Sequence, residues 1–238
     1  NVFRYALSIL FITTLGKEQG GFLNTISAAL FILPFFLFSA FAGQLADKFD
    51  KAFVARRVRF AEIFIVALSA YSLFSGHVHL QQFCVFLAGC QAAFFGPIKY
   101  GILPQHLNKD ELLGGNGMVE MATFIAILLG TIAGGLTARE GGDAAQLSLL
   151  IMVFALACWV STLFIPKTGP AAPDLAIDRN ILRSTRDLLK DLWADARLWR
   201  TGVMVSLFWL IGAVVMALLP ALVKNGMGGT EIVVSIYL

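Results

Sequence analysis

Charge is what this sequence lacks. Only 14% of its 238 residues are Asp, Glu, Lys or Arg, where soluble domains carry about a quarter. That shortage excludes an ordinary water-soluble domain. Histidine is scarcer still, with 3 residues. His77, His79 and His106 have no carboxylate or cysteine at useful spacing, so they read as solvated loop residues. Cys84, Cys90 and Cys158 fall singly inside apolar runs. They show neither metal spacing nor a secretory disulfide pattern, and read as small buried apolar side chains. The sequence also lacks a nucleophile elbow, a phosphate loop and a metal signature, so neither catalysis nor a cofactor is expected of it. No basic start with a cleavage site is visible. The net charge of +3 does not suggest a nucleic-acid partner, because the cations lie beside apolar runs, where membrane topology explains them.

What the sequence has in abundance is apolar surface. Hydrophobic residues make up 58% of it, 21 of them Phe, and its mean hydropathy is +0.79. A helical span needs about 20 apolar residues. By that measure the chain is an all-α integral membrane protein with spans at 2–15 (truncated), 22–46, 58–75, 79–103, 115–138, 146–165 and 201–223, and a stub from 231. Apolar residues begin at once and "TEIVVSIYL" opens another span, so the chain reads as a fragment trimmed at both ends. Short links make the first six spans antiparallel neighbours. Lys48, Lys51, Arg56, Arg57, Arg59, Lys99, Lys109 and the cations of 166–200 fall on one side, against Lys17, Arg139 and Lys224 on the other. The richer side is expected to be cytoplasmic.

The one long polar segment carries "NILRSTRDLLKDLWADARLW", whose apolar residues Ile181, Leu188, Leu189, Leu192, Trp193 and Ala196 repeat at helical spacing. An amphipathic helix lying in the interface and linking two halves is expected. The division is then 1–165, a six-helix half; 166–200, a cytoplasmic linker; and 201–238, the start of a second half. Six spans, a long link and further spans is the layout of a transporter built from two six-helix halves.

The sharpest motif, "GQLADKFDKAFVARR" (43–57), follows the second span. It resembles the loop signature of the major facilitator superfamily, with Gly43, Leu45, Ala46, Asp47, Lys48 and Lys51 matching and Asp50 standing where glycine is usual. The resemblance implies the fold of that superfamily: its amino-terminal six-helix half plus the first one or two helices of the second. It also implies gating roles for Gly43, Asp47, Lys48 and Lys51. A carboxylate at a helix end beside cations can exchange partners between conformations. Arg56, Arg57 and Arg59 are expected only to fix topology.

Two further stretches, "AAFFGPIKYGILPQHLNKDELLGGNGMVE" (92–120) and "ATFIAILLGTIAGG" (122–135), look like the lysophospholipid transporter family, which includes forms fused to an acyltransferase and acyl-carrier-protein synthetase. "NVFRYAL" and "SLFW" fit more loosely. The resemblance implies transport of lysophosphatidylethanolamine and lysophosphatidylglycerol across a bacterial inner membrane by alternating access, for reacylation. The implied partners are the lysophospholipid, membrane lipids and a possible acyltransferase, as a separate protein or a fused domain. Other readings are a small-molecule or drug exporter of the same superfamily and the membrane part of a fused acyltransferase. Drug antiporters carry Gly-Pro-x-x-Gly-Gly in the fifth span. Here Gly130, Gly134 and Gly135 are present but Thr131 replaces the proline, which lowers the exporter reading.

Ionisable residues inside spans face a cavity or a partner. Arg4 falls near the bilayer middle if the first span has ordinary length. A guanidinium there suits a phosphodiester, and a pairing with an upstream acid is equally open. Lys99 lies about 6 Å inside the fourth span and Glu120 about 7 to 8 Å inside the fifth, at similar depth. They read either as an ion pair closing the mouth or as receivers of a phosphate and an amine, and Lys99 can also snorkel. The resemblance puts spans 1 and 4, with Arg4 and Lys99, on the central cavity. Asn1, Gln91 and Asn116 are weaker substrate-binding candidates, better explained as helix-packing hydrogen bonds. Phe31, Phe35, Phe36, Phe94 and Phe95 border an acyl chain or simply pack.

Overall fold

The computed structural model describes residues 2–137 and 144–221, without the side chains of residues 13, 17, 135, 213 and 215–221. Among them the chain is helical wherever it is regular, in the order α1 (Val2–Lys48), α2 (Lys51–Ser75), α3 (Val78–Gly101), α4 (Leu103–His106), α5 (Leu112–Thr137), α6 (Ala144–Leu163), α7 (Ile181–Ala194) and α8 (Ala196–Ala221). Among the described residues, five stretches are long and apolar enough to cross a membrane: Glu18–Lys48, Lys51–Ser75, Val78–His106, Leu112–Gly134 and Ala144–Leu163. Asn1, Arg139, Lys224 and the stub from 231 lie outside the described residues. Two compact units divide the chain, Asn1–Thr185 and Arg186–Leu238.

The expected first and second spans are the two arms of α1. The helix breaks at Gly16 (φ 81°, ψ 169°), in the left-handed half of backbone space that glycine tolerates. The arms fold back on each other there. A Cβ on Gly20 would sit 2.6 Å from the Phe11 carbonyl oxygen, and the Asn24 amide donates to the Ser8 carbonyl at 3.3 Å. Gly89 of α3 does the same for α1's second arm, where a Cβ would lie 3.1 Å from the Phe31 Cα. A Cβ on Gly134 would sit 2.8 Å from the Val2 carbonyl oxygen. Small residues at crossings let helix backbones approach where lipid supplies no hydrophobic drive.

Polar side chains join the helices as well. Gln82 accepts from Ser27 (3.0 Å) and donates to the Leu23 carbonyl (3.1 Å), tying α3 to α1. The buried Gln81 donates to the Ser72 carbonyl of α2 at 3.3 Å. Apolar cores fill between these links. Ala6 packs with Leu147 and Ile151; Leu7 and Phe11 pack with Val85; Ala46 and Ala55 pack with Ile98. Of the cysteines, Cys84 is buried as expected, but Cys158 is exposed on α6.

The basic end is held by a strap. After α6 the chain runs back beneath α1 and α2. Asp50 caps α2 by accepting from the Phe53 amide (2.9 Å), and its second oxygen accepts from the amides of Thr168 (3.0 Å) and Gly169 (2.7 Å). Lys48 donates to the Leu175 carbonyl (2.8 Å) and the Asp47 carbonyl accepts from the Ala172 amide (2.8 Å). Gln44 accepts from the Asp178 amide (2.8 Å) and bonds Ser184. Burial raises the Asp50 carboxyl, but the amides of Phe53, Gly169, Thr168 and Ala52 outweigh it and hold the group below its usual range. Arg56 does more than fix topology. It donates to the carbonyls of Thr162 (3.2 Å), Leu163 (3.3 Å) and Ile165 (2.9 Å), closing the carboxyl end of α6.

The run expected as one amphipathic helix is two. α7 stops at Ala194, and Asp195 accepts from the amides of Arg197 (2.8 Å) and Leu198 (3.2 Å), which makes it the cap that starts α8.

Two outcomes test this packing in the full-length protein. Gly89→Val forces a side chain into the Phe31 backbone and lowers the melting temperature, at a cost of about 1–3 kcal/mol. Gly96→Ala, with nothing within 4 Å of its Cβ, leaves it unchanged or raises it. Asp50→Ala removes a cap worth about 1 kcal/mol and speeds hydrogen exchange at the Thr168 and Gly169 amides. Because the folded carboxyl lies below its unfolded value, this stabilisation holds above the unfolded value. Acid therefore reproduces the exchange effect as pH falls through the folded value, once intrinsic rates are corrected.

Candidate functional site

Arg4 stands on the first arm of α1, and its guanidinium carbon lies 4.8 Å from the centre of the Phe31 ring. Phe31 is seventeen residues, about 25 Å of helix, from the end of α1 at Lys48. Arg4 therefore lies about midway along the helix bundle, as its apolar sequence context implies, and it is an exposed residue. It opens onto a cavity of about 300 Å³ lined by Tyr5, Ser8, Asn24, Ser27, Ile127 and Thr131. Tyr5, Ser8, Asn24, Ser27 and Thr131 bring hydroxyl or amide groups to it, among apolar surface from Ala28 and Ile127. A guanidinium over an aromatic ring keeps its in-plane N–H groups available, so the site can grip an anion by two parallel hydrogen bonds.

Lys99 sits elsewhere. Gly89 meets Phe31, and Lys99 is ten residues further along α3, about 15 Å towards the basic end. Lys99 and Glu120 do share a neighbourhood, but among the described residues no ion pair joins them. The Lys99 ammonium donates to the Thr123 hydroxyl (2.6 Å) and to the Tyr100 hydroxyl (3.2 Å), and Tyr100 in turn donates to Glu120. The ammonium also lies 4.8 Å from the Tyr100 ring centre. An aromatic hydroxyl is thus placed between cation and carboxylate, each half-buried. A direct pair at this depth needs both long side chains to meet, and Thr123, one turn beyond Glu120 on α5, offers the cation a nearer oxygen. The arrangement can part at a single hydroxyl, which suits a mouth that opens.

Gln91 does not face the Arg4 cavity. Its amide donates to Glu62 (3.3 Å), and both line a second cavity of about 160 Å³ with Phe3, Ser69 and Ile151. Glu62 pairs with Arg59 at 2.7 Å, and the Arg59 guanidinium lies 3.9 Å from the Phe95 ring centre. Arg59 therefore serves an intramembrane ion pair, beyond topology. Sequence reasoning passed over Glu62, although an Arg and a Glu three apart on one helix face signal such a pair. Asn116 bonds the Leu112 carbonyl of its own helix (2.9 Å) and is exposed, so it contributes to neither cavity. Asn1 lies outside the described residues. Of the phenylalanines, Phe94 stacks on Phe38 at 5.8 Å, and Phe36 is exposed.

At the basic end Asp47 pairs with Lys51 at 3.4 Å across the break between α1 and α2. The two are unequal: the Lys51 side chain is 3% exposed and that of Asp47 56%. The cation is fixed, with its stem beside Gly101, and the carboxylate is the partner that can turn away. Lys48 is committed to the strap, and Gly43 has open space at its Cβ position.

Comparison with known proteins agrees with this architecture. A family model described as Major Facilitator Superfamily matches residues 1–238. A protein named lysophospholipid transporter LplT from Citrobacter koseri is 34% identical over 210 residues, covering 88% of this chain and 51% of the relative. Its namesakes from Enterobacter sp. (strain 638) and Escherichia coli O1:K1 are 33% identical with the same coverage. The chain spans about half the length of the curated relatives it matches. It belongs to the major facilitator superfamily.

Proposed function

We propose that the full-length protein moves lysophospholipids across the bacterial inner membrane by alternating access. The observation that carries this reading is Arg4: a cation midway along an apolar bundle, beside a cavity of about 300 Å³ that also presents Ser8, Asn24, Ser27 and Thr131. A cation is costly there unless an anion or a dipolar surface answers it. A phosphodiester does so with two hydrogen bonds, while a single acyl chain stays among apolar helix faces. The similarity to proteins named lysophospholipid transporters supports the same cargo.

In this reading Lys99, Tyr100, Glu120 and Thr123 form a polar mouth about 15 Å nearer the basic end. Lys99 meets the phosphate and Glu120 the amine of the headgroup when the Tyr100 link opens. Asp47 and Lys51 form the gate, with Gly43 and Lys48 holding its geometry. The basic end faces the cytoplasm, residues 166–200 link the six-helix half 1–165 to the second half that begins at 201, and an acyltransferase reacylates the delivered lysolipid.

The test is uptake of labelled lysophosphatidylethanolamine by spheroplasts containing the full-length protein. Arg4→Met lowers uptake about tenfold or more, the factor for one lost charge-assisted hydrogen bond. Lys99→Met does the same, and Tyr100→Phe, which keeps the ring but removes the link, changes the rate with less effect on affinity. Unchanged uptake in Arg4→Met at normal protein level contradicts the proposed phosphate site. Failure of a folded wild type to take up any lysolipid contradicts the cargo.

A further inference from the structure

The unit Arg186–Leu238 carries an exposed face on α7 that the proposed cargo site does not include. Arg186, Leu189, Lys190 and Trp193 of α7 are spaced at i, i+3, i+4 and i+7, so they share one helix face. The apolar members are open, with Leu189 53% and Trp193 69% exposed. Asp191 lies on the opposite side of the helix by its position, and Asp187 is drawn to Arg186 at 3.3 Å. Asp195 is occupied in capping α8.

The turn into α8 extends this face. The Trp193 and Trp199 rings meet at a tilt of 45° with centres 4.6 Å apart, and Leu192 lies 3.9 Å from the Cβ position of Gly202, so α7 folds against the first turns of α8. Arg197 and Arg200 flank Trp199 and are exposed. Four residues beyond Trp199, about 6 Å along the axis, α8 becomes continuously apolar, with Met204, Phe208 and Leu210 exposed as lipid-facing side chains are. Tryptophan beside such an apolar stretch collects at headgroup level.

We infer that the face of α7 bearing Leu189, Lys190 and Trp193, together with Arg197 and Arg200 of α8, docks on the anionic headgroups of the surrounding bilayer. The chemistry is specific in two ways. Leu189 and Trp193 supply an apolar edge that enters the interface to a shallow depth. Lys190, Arg197 and Arg200 supply cations on that edge, with the acids turned away or already engaged, so a negative lipid surface is preferred over a zwitterionic one. The contact needs no lysolipid and is separate from cargo recognition.

The test places an environment-sensitive fluorophore at Leu189→Cys in the full-length protein, with Cys84, Cys90 and Cys158 replaced, in nanodiscs made with and without phosphatidylglycerol and free of lysolipid. The expected result is a blue shift that grows with phosphatidylglycerol and is reversed by salt. In the variant Lys190→Gln/Arg197→Gln/Arg200→Gln the lipid dependence weakens by about fivefold per charge removed. These side chains are exposed, and an unchanged melting temperature verifies the fold. A shift that is the same in purely zwitterionic discs overturns the inference, because another part of the protein then covers the face. The absence of any shift overturns it too.

Discussion

A charge carried into an apolar layer has to be answered by a second polar or aromatic group, and the polar architecture of this chain follows from that requirement. Arg4 is answered by the Phe31 ring and a cavity of hydroxyls and amides. Arg59 is answered by Glu62 and Phe95, with Gln91 donating to the same carboxylate oxygen. Lys99 is answered by Thr123 and Tyr100. The answers differ in completeness. Arg59 and Glu62 satisfy each other and bind two helices. The Arg4 cavity leaves space for a further group, which separates a candidate binding site from a structural pair.

The basic end obeys the same rule with backbone groups in place of side chains. Three carbonyls at the end of α6 accept from Arg56, and Asp50 accepts from both the α2 amino terminus and the returning strap. Asp50 stands where the superfamily signature usually has glycine. The extra carboxylate gives the motif loop a second attachment, so the strap and the Asp47–Lys51 pair share one short segment. Movement of that segment has to involve both.

The fold was legible because apolar run length and the loop signature are local properties of the chain. Arg4 was legible for the same reason: a cation stands out in an uninterrupted apolar run. The depth match of Lys99 and Glu120 followed from counting residues, but Tyr100 did not, since aromatic residues at span ends are ordinary and only packing shows what lies between two long side chains. Glu62 was masked by the cluster of cations just before it. Gln91 was better explained as a packing hydrogen bond, but its partner Glu62 was not legible, because sequence gives a residue's span and not its facing. The role of Asp50 depends on amides more than a hundred positions away, and no periodicity carries that. The division of the amphipathic run at Asp195 was present in the sequence as a capping residue, overridden there by helical spacing that runs on through it.

The most direct measurement of the central claim is the affinity of the full-length protein for lysophosphatidylglycerol and for a monoacylglycerol of the same chain, in wild type and in Arg4→Gln. The two ligands differ in the phosphodiester headgroup. Wild type is predicted to prefer the phosphorylated ligand, and Arg4→Gln to lose most of that preference while retaining its affinity for the monoacylglycerol. Equal discrimination in both proteins would contradict the account, because the phosphate would then be read somewhere other than the Arg4 cavity.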